Sequence, residues 1–239
     1  MSSDMGKEVN ITYPVCWEKM SSEDFETVCR IISSEQKRSE PELLFLLLCS
    51  LAKMRPDNVS YDPDALKDNV VFKIGSKCYV ISPKVIQAGC SDLGFILHSI
   101  GLSPSPFRMV ARKLYGITFG QYYEADAMIM RYNDTQDSIY LEQAAAILNR
   151  HKVNMPVWRQ KALIIWWNGI KKYLLEKYPY IFQEGDSYEA VEKSPADILQ
   201  ELLSAMNSDR PQDNDKILNT ELHSVLYSLN NIYRKNAHK

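Results

Sequence analysis

The sequence predicts a mainly α-helical protein: a multi-helix bundle around one long central helix (about 156–178), with one small β-hairpin (about 70–81). Three observations predict it. The stretch 154–182, NMPVWRQKALIIWWNGIKKYLLEKYPYIF, has a start signal, a stop signal and an apolar middle with no bare polar face. Several flanking stretches place apolar residues three and four apart, the helical period. Around 70–81 the period changes to two, the period of a strand.

In the central stretch Asn154 is the expected N-cap and Pro156 sits near the first helical position, where a missing N–H costs nothing. Pro179 is the stop, because its ring disfavours helix in the residue before it. Leu163, Trp166, Ile170 and Leu174 share one face, and Ile164, Ile165 and Trp167 widen the apolar surface well beyond it. A helix apolar all round its middle is a buried helix. Trp166 and Trp167 are therefore read as core. Spanning a bilayer takes about 20 apolar residues, and the run Ala162–Trp167 is six.

Composition narrows the functional classes. The chain has 239 residues, a formal net charge of −2, 45% hydrophobic and 24% charged residues, which argues against a protein that coats nucleic acid. Five cysteines, none in a CxxC arrangement, are expected to be reduced, buried thiols. The start MSSDMGKEVN lacks the basic-then-apolar layout of a signal peptide, and the apolar block 43–49 is too short for a membrane span. The expectation is a soluble, cytoplasmic protein with no membrane partner.

Taken in order, residues 1–13 are expected to form a flexible leader. A helix starts at Ser21 or Ser22, with Glu23 and Asp24 favourable to its dipole and Phe25, Val28, Cys29 and Ile32 on one face. A second helix runs from Glu40-Pro41 to about Met54, closed by Pro56. In the hairpin, Val70, Phe72 and Ile74 share a face with Tyr79 and Ile81 across a Gly75-Ser76 turn. Helices are expected over 84–100 and 107–115, the latter stopped by Gly116. Thr118 and Gln121 fit a capping box opening a helix to about Tyr132, and another helix covers 136–150. Residues 14–182 thus form a helical domain with the hairpin. The remainder, 183–239, is an acidic linker followed by C-terminal helices from Ser194-Pro195 to Asn207 and over about 216–235. In the last helix Leu218, Leu222, Val225, Leu229 and Ile232 are spaced 4, 3, 4 and 3 apart. Such a stripe either docks on its own bundle or binds a partner.

No chemistry-bearing motif stands out. His98, His151, His223 and His238 lack a second ligand at zinc spacing, and His98 reads as a core or boundary residue. Cys90-Ser91-Asp92 has no signature of a base. The segment Asn133–Glu142 looks like a calcium loop but carries Ser138 where glycine is needed and Ala144 where a bidentate glutamate is needed. Glu124 and Asp126, two apart on a helix, read as a solvated face. No phosphate-cradling glycine motif occurs. No cofactor, metal or small-molecule ligand is expected. A DNA-binding alternative rests on 107–132: a basic first helix with Arg108, Arg112 and Lys113, a turn at Gly116 and a capped second helix. Glu124 and Asp126 near that second helix's start oppose phosphate binding.

Four pieces, PVCWEKMSSEDFETVCRII, LYGITFGQYYEADAMIMRYNDTQDSIYLEQAAAILNR, ALIIWWNGIKKYLLEKYPYIF and ELHSVLYSLNNIYRK, carry a resemblance whose order and spacing run across about two-thirds of the chain. Together they resemble a group of helical proteins encoded in phages and prophages of Bacteroidetes-type bacteria. The resemblance implies a non-enzymatic virion-structural or tail-assembly (chaperone-like) role, exercised through contacts with virion or assembly proteins in the host cytoplasm. It carries no functional residues with it. An enzyme with an unrecognised site is the remaining class.

Overall fold

The computed structural model describes residues 11–34, 36–56, 70–74, 77–181, 195–207 and 211–237. The fold class is the expected one: mainly helical, with a small three-stranded antiparallel sheet. The chain divides into two compact units, Met1–Pro104 with Val157–Ala162, and Ser105–Pro156 with Leu163–Lys239. The C-terminal helices fall in the second unit. The leader over 1–10, the loop at 57–68, the Gly75-Ser76 turn, the acidic stretch 183–193 and His238 lie outside the described residues.

In the first unit, α1 (Ser22–Ile32) is capped by the Ser21 hydroxyl, which accepts from the Asp24 N–H, and α2 (Glu40–Leu51) opens with a full capping box between Ser39 and Glu42. Leu44, Phe45, Leu47, Leu48 and Leu51 of α2 are buried, as an all-round apolar helix requires. The second helix ends at Leu51, short of the expected Met54. Lys53 adopts a positive φ of 55° and turns the chain into β1 (Met54–Pro56). That strand pairs with β2 (Val70–Ile74), which pairs with β3 (Lys77–Ile81), in the order β1-β2-β3. The expected hairpin is thus two strands of a three-stranded sheet. Its register holds: Val70 lies opposite Ile81 and Phe72 opposite Tyr79. Val70, Phe72 and Ile81 are buried while Val71 and Val80 face out, and Phe72 meets Phe45 edge-on at 6.2 Å.

The expected helix over 84–100 is two, α3 (Pro83–Asp92) and α4 (Phe95–His98), separated at Leu93-Gly94. A short 3₁₀ turn carries Trp17, whose indole packs edge-on against Phe25 and Phe95 and donates to the Ser99 carbonyl at 3.0 Å. Gly101 makes this approach possible: a Cβ there would sit 2.7 Å from Trp17 Cδ1. Cys29, Cys49 and Cys90 are buried and outside any disulfide, but Cys78 is exposed, so the cysteines are not uniformly core.

In the second unit, α5 (Phe119–Thr135) opens with the expected capping box between Thr118 and Gln121. It continues three residues past Tyr132, to a left-handed Gln136. After a short turn, α6 (Ile139–Asn149) packs back along α5. The central helix, α7 (Val157–Lys177), has extended Pro156, not Asn154, at its N-cap position and no side-chain capping bond. Its 21 residues span about 31 Å at 1.5 Å per residue. Val157–Ala162 belongs to the first unit and the remainder to the second.

Trp166 and Trp167 are fully buried. Each satisfies its indole N–H: Trp166 donates to the Arg112 carbonyl at 3.0 Å, and Trp167 to Asp126 Oδ1 at 2.8 Å while stacking on Tyr122. The C-terminal part holds α8 (Pro195–Asn207), α9 (Asn214–Leu218) and α10 (Leu222–Ala237). The single helix expected over 216–235 is therefore two. Residues 211–218, expected in large part as linker, form a 3₁₀ turn and α9. The break follows from main-chain pairing: Leu222 N–H donates to the Ile117 carbonyl and Phe119 N–H to the Thr220 carbonyl, both at 2.9 Å.

The helix expected over 107–115 is absent. The segment is a series of turns, with Leu114 and Gly116 at φ of 62° and 82°. Its carbonyls at Arg112, Lys113 and Ile117 accept from Trp166, His223 and Leu222. These tertiary donors take acceptors that a helix would have used internally. A helix-turn-helix therefore has no first helix here.

Candidate functional site

The five C-terminal residues singled out as a partner-binding stripe divide by burial. Leu222, Val225 and Leu229 are buried in the second unit, where α10 packs on α5 and α8, while Leu218 and Ile232 are half-buried. Leu226, outside that stripe, is buried with them. Docking on the chain's own unit is what this burial describes.

Leu218 opens instead onto a groove in the same unit. Its volume is about 460 Å³, and it is lined by Thr118, Gly120, Gln121, Tyr123, Glu124 and Ala127 from the start of α5, Leu199 from α8, and Asp215, Leu218 and Asn219 around α9. The capping box fixes its floor. Gln121 reciprocates the Thr118 cap and also donates to the Ile147 carbonyl at 2.9 Å, tying the wall to α6. At Gly120 the backbone approaches α9 closely, since a Cβ would lie 3.1 Å from the Leu218 carbonyl oxygen. Tyr123 packs edge-on to Phe119, and burial pushes its phenol well above the usual tyrosine range, so it stays neutral. Aliphatic and aromatic carbon from Tyr123, Ala127, Leu199 and Leu218 makes the interior. Glu124 and Asp215 are exposed at its margin, and none of its described lining residues is basic, although Arg150 donates to Gln121 Oε1 at 3.3 Å.

A second cluster lies in the same unit, around His223. The imidazole is 7% exposed, and both ring nitrogens are engaged. Nε2 lies 2.7 Å from the Lys113 carbonyl, so it carries the hydrogen and donates; Nδ1 then accepts from the Tyr178 hydroxyl at 2.9 Å. Lys177 Nζ stands 3.5 Å from the same Nδ1 and 3.3 Å from the Tyr115 hydroxyl. The ammonium also lies 5.2–5.4 Å from the ring centres of Tyr115, Tyr173 and Tyr178, within cation–π range. Burial pushes the His223 pKa below the ordinary histidine value, and Lys177 and Lys113 push the same way. Partial burial lowers Lys177, but the hydroxyls of Tyr173, Tyr115 and Tyr178 outweigh it and hold the ammonium above its ordinary range. Tyr115 is 53% exposed, and a hydrogen bond from Tyr173, followed by Lys177, lowers its phenol.

The remaining candidates resolve plainly. His98 is a surface residue, with Nε2 2.8 Å from Glu40 Oε1. Asp92 accepts from the Tyr13 hydroxyl at 2.9 Å. Ser138 and Asp137 make a helix-to-helix turn, in which Asp137 Oδ1 accepts from the Ile139 N–H. Asp126 is not on a solvated face: it accepts from Trp167 and pairs with Lys171 at 2.8 Å. Among the described residues no group of three or more His, Cys, Asp or Glu is placed to hold a metal ion, and no helix is long and apolar enough to cross a membrane.

Neither the groove nor the His223 cluster was found from sequence. Tyr173 and Lys177, four apart on one helix face, were the only local trace of the second. No family model, curated protein or solved structure matches the chain.

Proposed function

We propose that this protein works without catalysis, as a phage-type structural or tail-assembly protein that holds a partner chain. The observation that carries the reading is the groove at the start of α5. It offers apolar carbon from Tyr123, Ala127, Leu199 and Leu218 inside and the carboxylates of Glu124 and Asp215 outside. An amphipathic helix lays an apolar stripe into such a groove and places its flanking residues on the rim. Two acidic rim residues, with no basic counterpart among the described lining residues, select a helix flanked by lysine or arginine. The occupant is therefore a basic amphipathic helix of a virion or assembly protein.

The turns at 107–117, where a helix-turn-helix needs its first helix, disfavour the DNA-binding alternative. That alternative requires salt-dependent retention on duplex DNA.

The test is made in the producing host. A tagged chain co-purifies with particles or with assembly intermediates, and Ala127→Phe, which fills the groove with apolar volume, folds normally but loses that association. Absence of the tagged chain from both fractions, together with normal particles in a deletion strain, overturns the proposal.

A further inference from the structure

We infer that a proton on His223 and the ammonium of Lys177 compete for one position, making the tyrosine-lined cluster an acid-operated switch that releases Lys177 from its tyrosine partners. The hydrogen-bond accounting leads there. In the neutral ring Nε2 donates to the Lys113 carbonyl and Nδ1 accepts from the Tyr178 hydroxyl. A second proton goes on Nδ1, and Tyr178 adapts to it at little cost. Its hydroxyl can turn to donate to the His223 carbonyl, 3.4 Å away, and accept from the ring instead. Lys177 cannot adapt in place, because its Nζ is 3.5 Å from that nitrogen. Two like charges at that separation impose roughly a tenfold penalty on protonation even in a water-like dielectric, and more in a partly buried site.

The groups facing the ring from each neighbouring element are accounted for. The turn segment brings Lys113 and Tyr115, α7 brings Tyr173, Lys177 and Tyr178, and Glu221 immediately precedes α10. Glu221 and the Lys113 carbonyl favour the charged ring, but burial and the two ammoniums outweigh them. The native state therefore prefers neutral His223. That preference contributes stability above the unfolded-state value of about 6.5 and loses it as pH falls towards the lower native value. Lys177 is the member able to leave, since its side chain is exposed. With it gone the imidazolium faces Tyr115, whose ring centre is 4.5 Å from that of His223. The surface then presents a free lysine beside an open set of three tyrosines.

The experiment is a pair of NMR titrations on the full chain, following the His223 ring carbons and the Lys177 Cε. The expected result is one shared midpoint for both signals, below that of a free histidine. In Lys177→Met the His223 midpoint rises by about one unit, a tenfold easier protonation. A Lys177 signal that does not move with His223, or an unchanged His223 midpoint in Lys177→Met, overturns the inference. Lys177 is exposed, so the variant tests the charge and not the core.

Discussion

Removing the indole N–H of Trp167 while keeping an aromatic ring, as in Trp167→Phe, isolates the tie between α7 and α5. Trp167 Nε1 donates to Asp126 Oδ1 at 2.8 Å, and the ring is fully buried and stacked on Tyr122 with centroids 5.4 Å apart. A hydrogen bond to a charged partner contributes about 1.5–3 kcal/mol. Asp126 keeps Lys171, at 2.8 Å, after the substitution, so the net loss falls at the lower end, about 1.5 kcal/mol. Phenyl in place of indole also leaves a void on the order of 40 Å³, which costs about 1 kcal/mol at 24 cal/mol per Å³. The sum is about 2.5 kcal/mol, or roughly 5–10 °C in Tm for a chain of this size. Urea unfolding followed by far-UV circular dichroism measures it. A double-mutant cycle with Asp126→Ala, which removes the acceptor, separates the bond from the void, and about 1 kcal/mol of coupling is expected. A cost under about 0.5 kcal/mol, or additivity within the cycle, refutes the claim that this bond anchors the two helices.

Other consequences are equally specific. Gly101→Ala pushes a methyl group against Trp17 and is expected to destabilise the first unit by about 1–3 kcal/mol, read as a lower urea midpoint. Thr118→Ala removes the capping hydroxyl of α5 and costs about 1 kcal/mol, whereas Thr118→Ser costs little; equal effects would mean that the cap does not hold this helix end. Burial pushes the Cys29 and Cys49 thiols up to about 12, so a maleimide at neutral pH modifies exposed Cys78 first and reaches the other two only on unfolding, as peptide mass spectrometry will show.

What the sequence disclosed was local. Capping residues Ser21 and Thr118, the two-residue period of 70–81 and the all-round apolar centre of 157–177 each act within a few residues of themselves, and each predicted its element. Features set by distant partners were not legible. Met-Arg-Pro at 54–56 is too short to show a strand period, and Pro56 read as a helix stop. The turns at 107–117 exist because Trp166, His223 and Leu222 claim their carbonyls, 54, 110 and 105 positions away. The same holds for function. His223 in its own helix looked like an isolated histidine, since its partners come from a turn segment and from the end of α7. Leu218 was read as part of a continuous stripe, but the break after α9 turns it into a groove wall while Leu222, Val225 and Leu229 go to the core.

The most direct test of the account is a binding titration of two labelled helical peptides of about 18 residues, long enough for roughly five turns. One pairs leucine with lysine and the other pairs leucine with glutamate in the same pattern. Read by fluorescence anisotropy against the full chain, the lysine peptide is expected to bind and the glutamate peptide to fail. In Glu124→Lys that preference should weaken or invert, and in Ala127→Phe binding should be lost. Equal affinity for the two peptides, or binding of the lysine peptide that survives both substitutions, would contradict the proposal that the α5 groove seats a basic amphipathic helix.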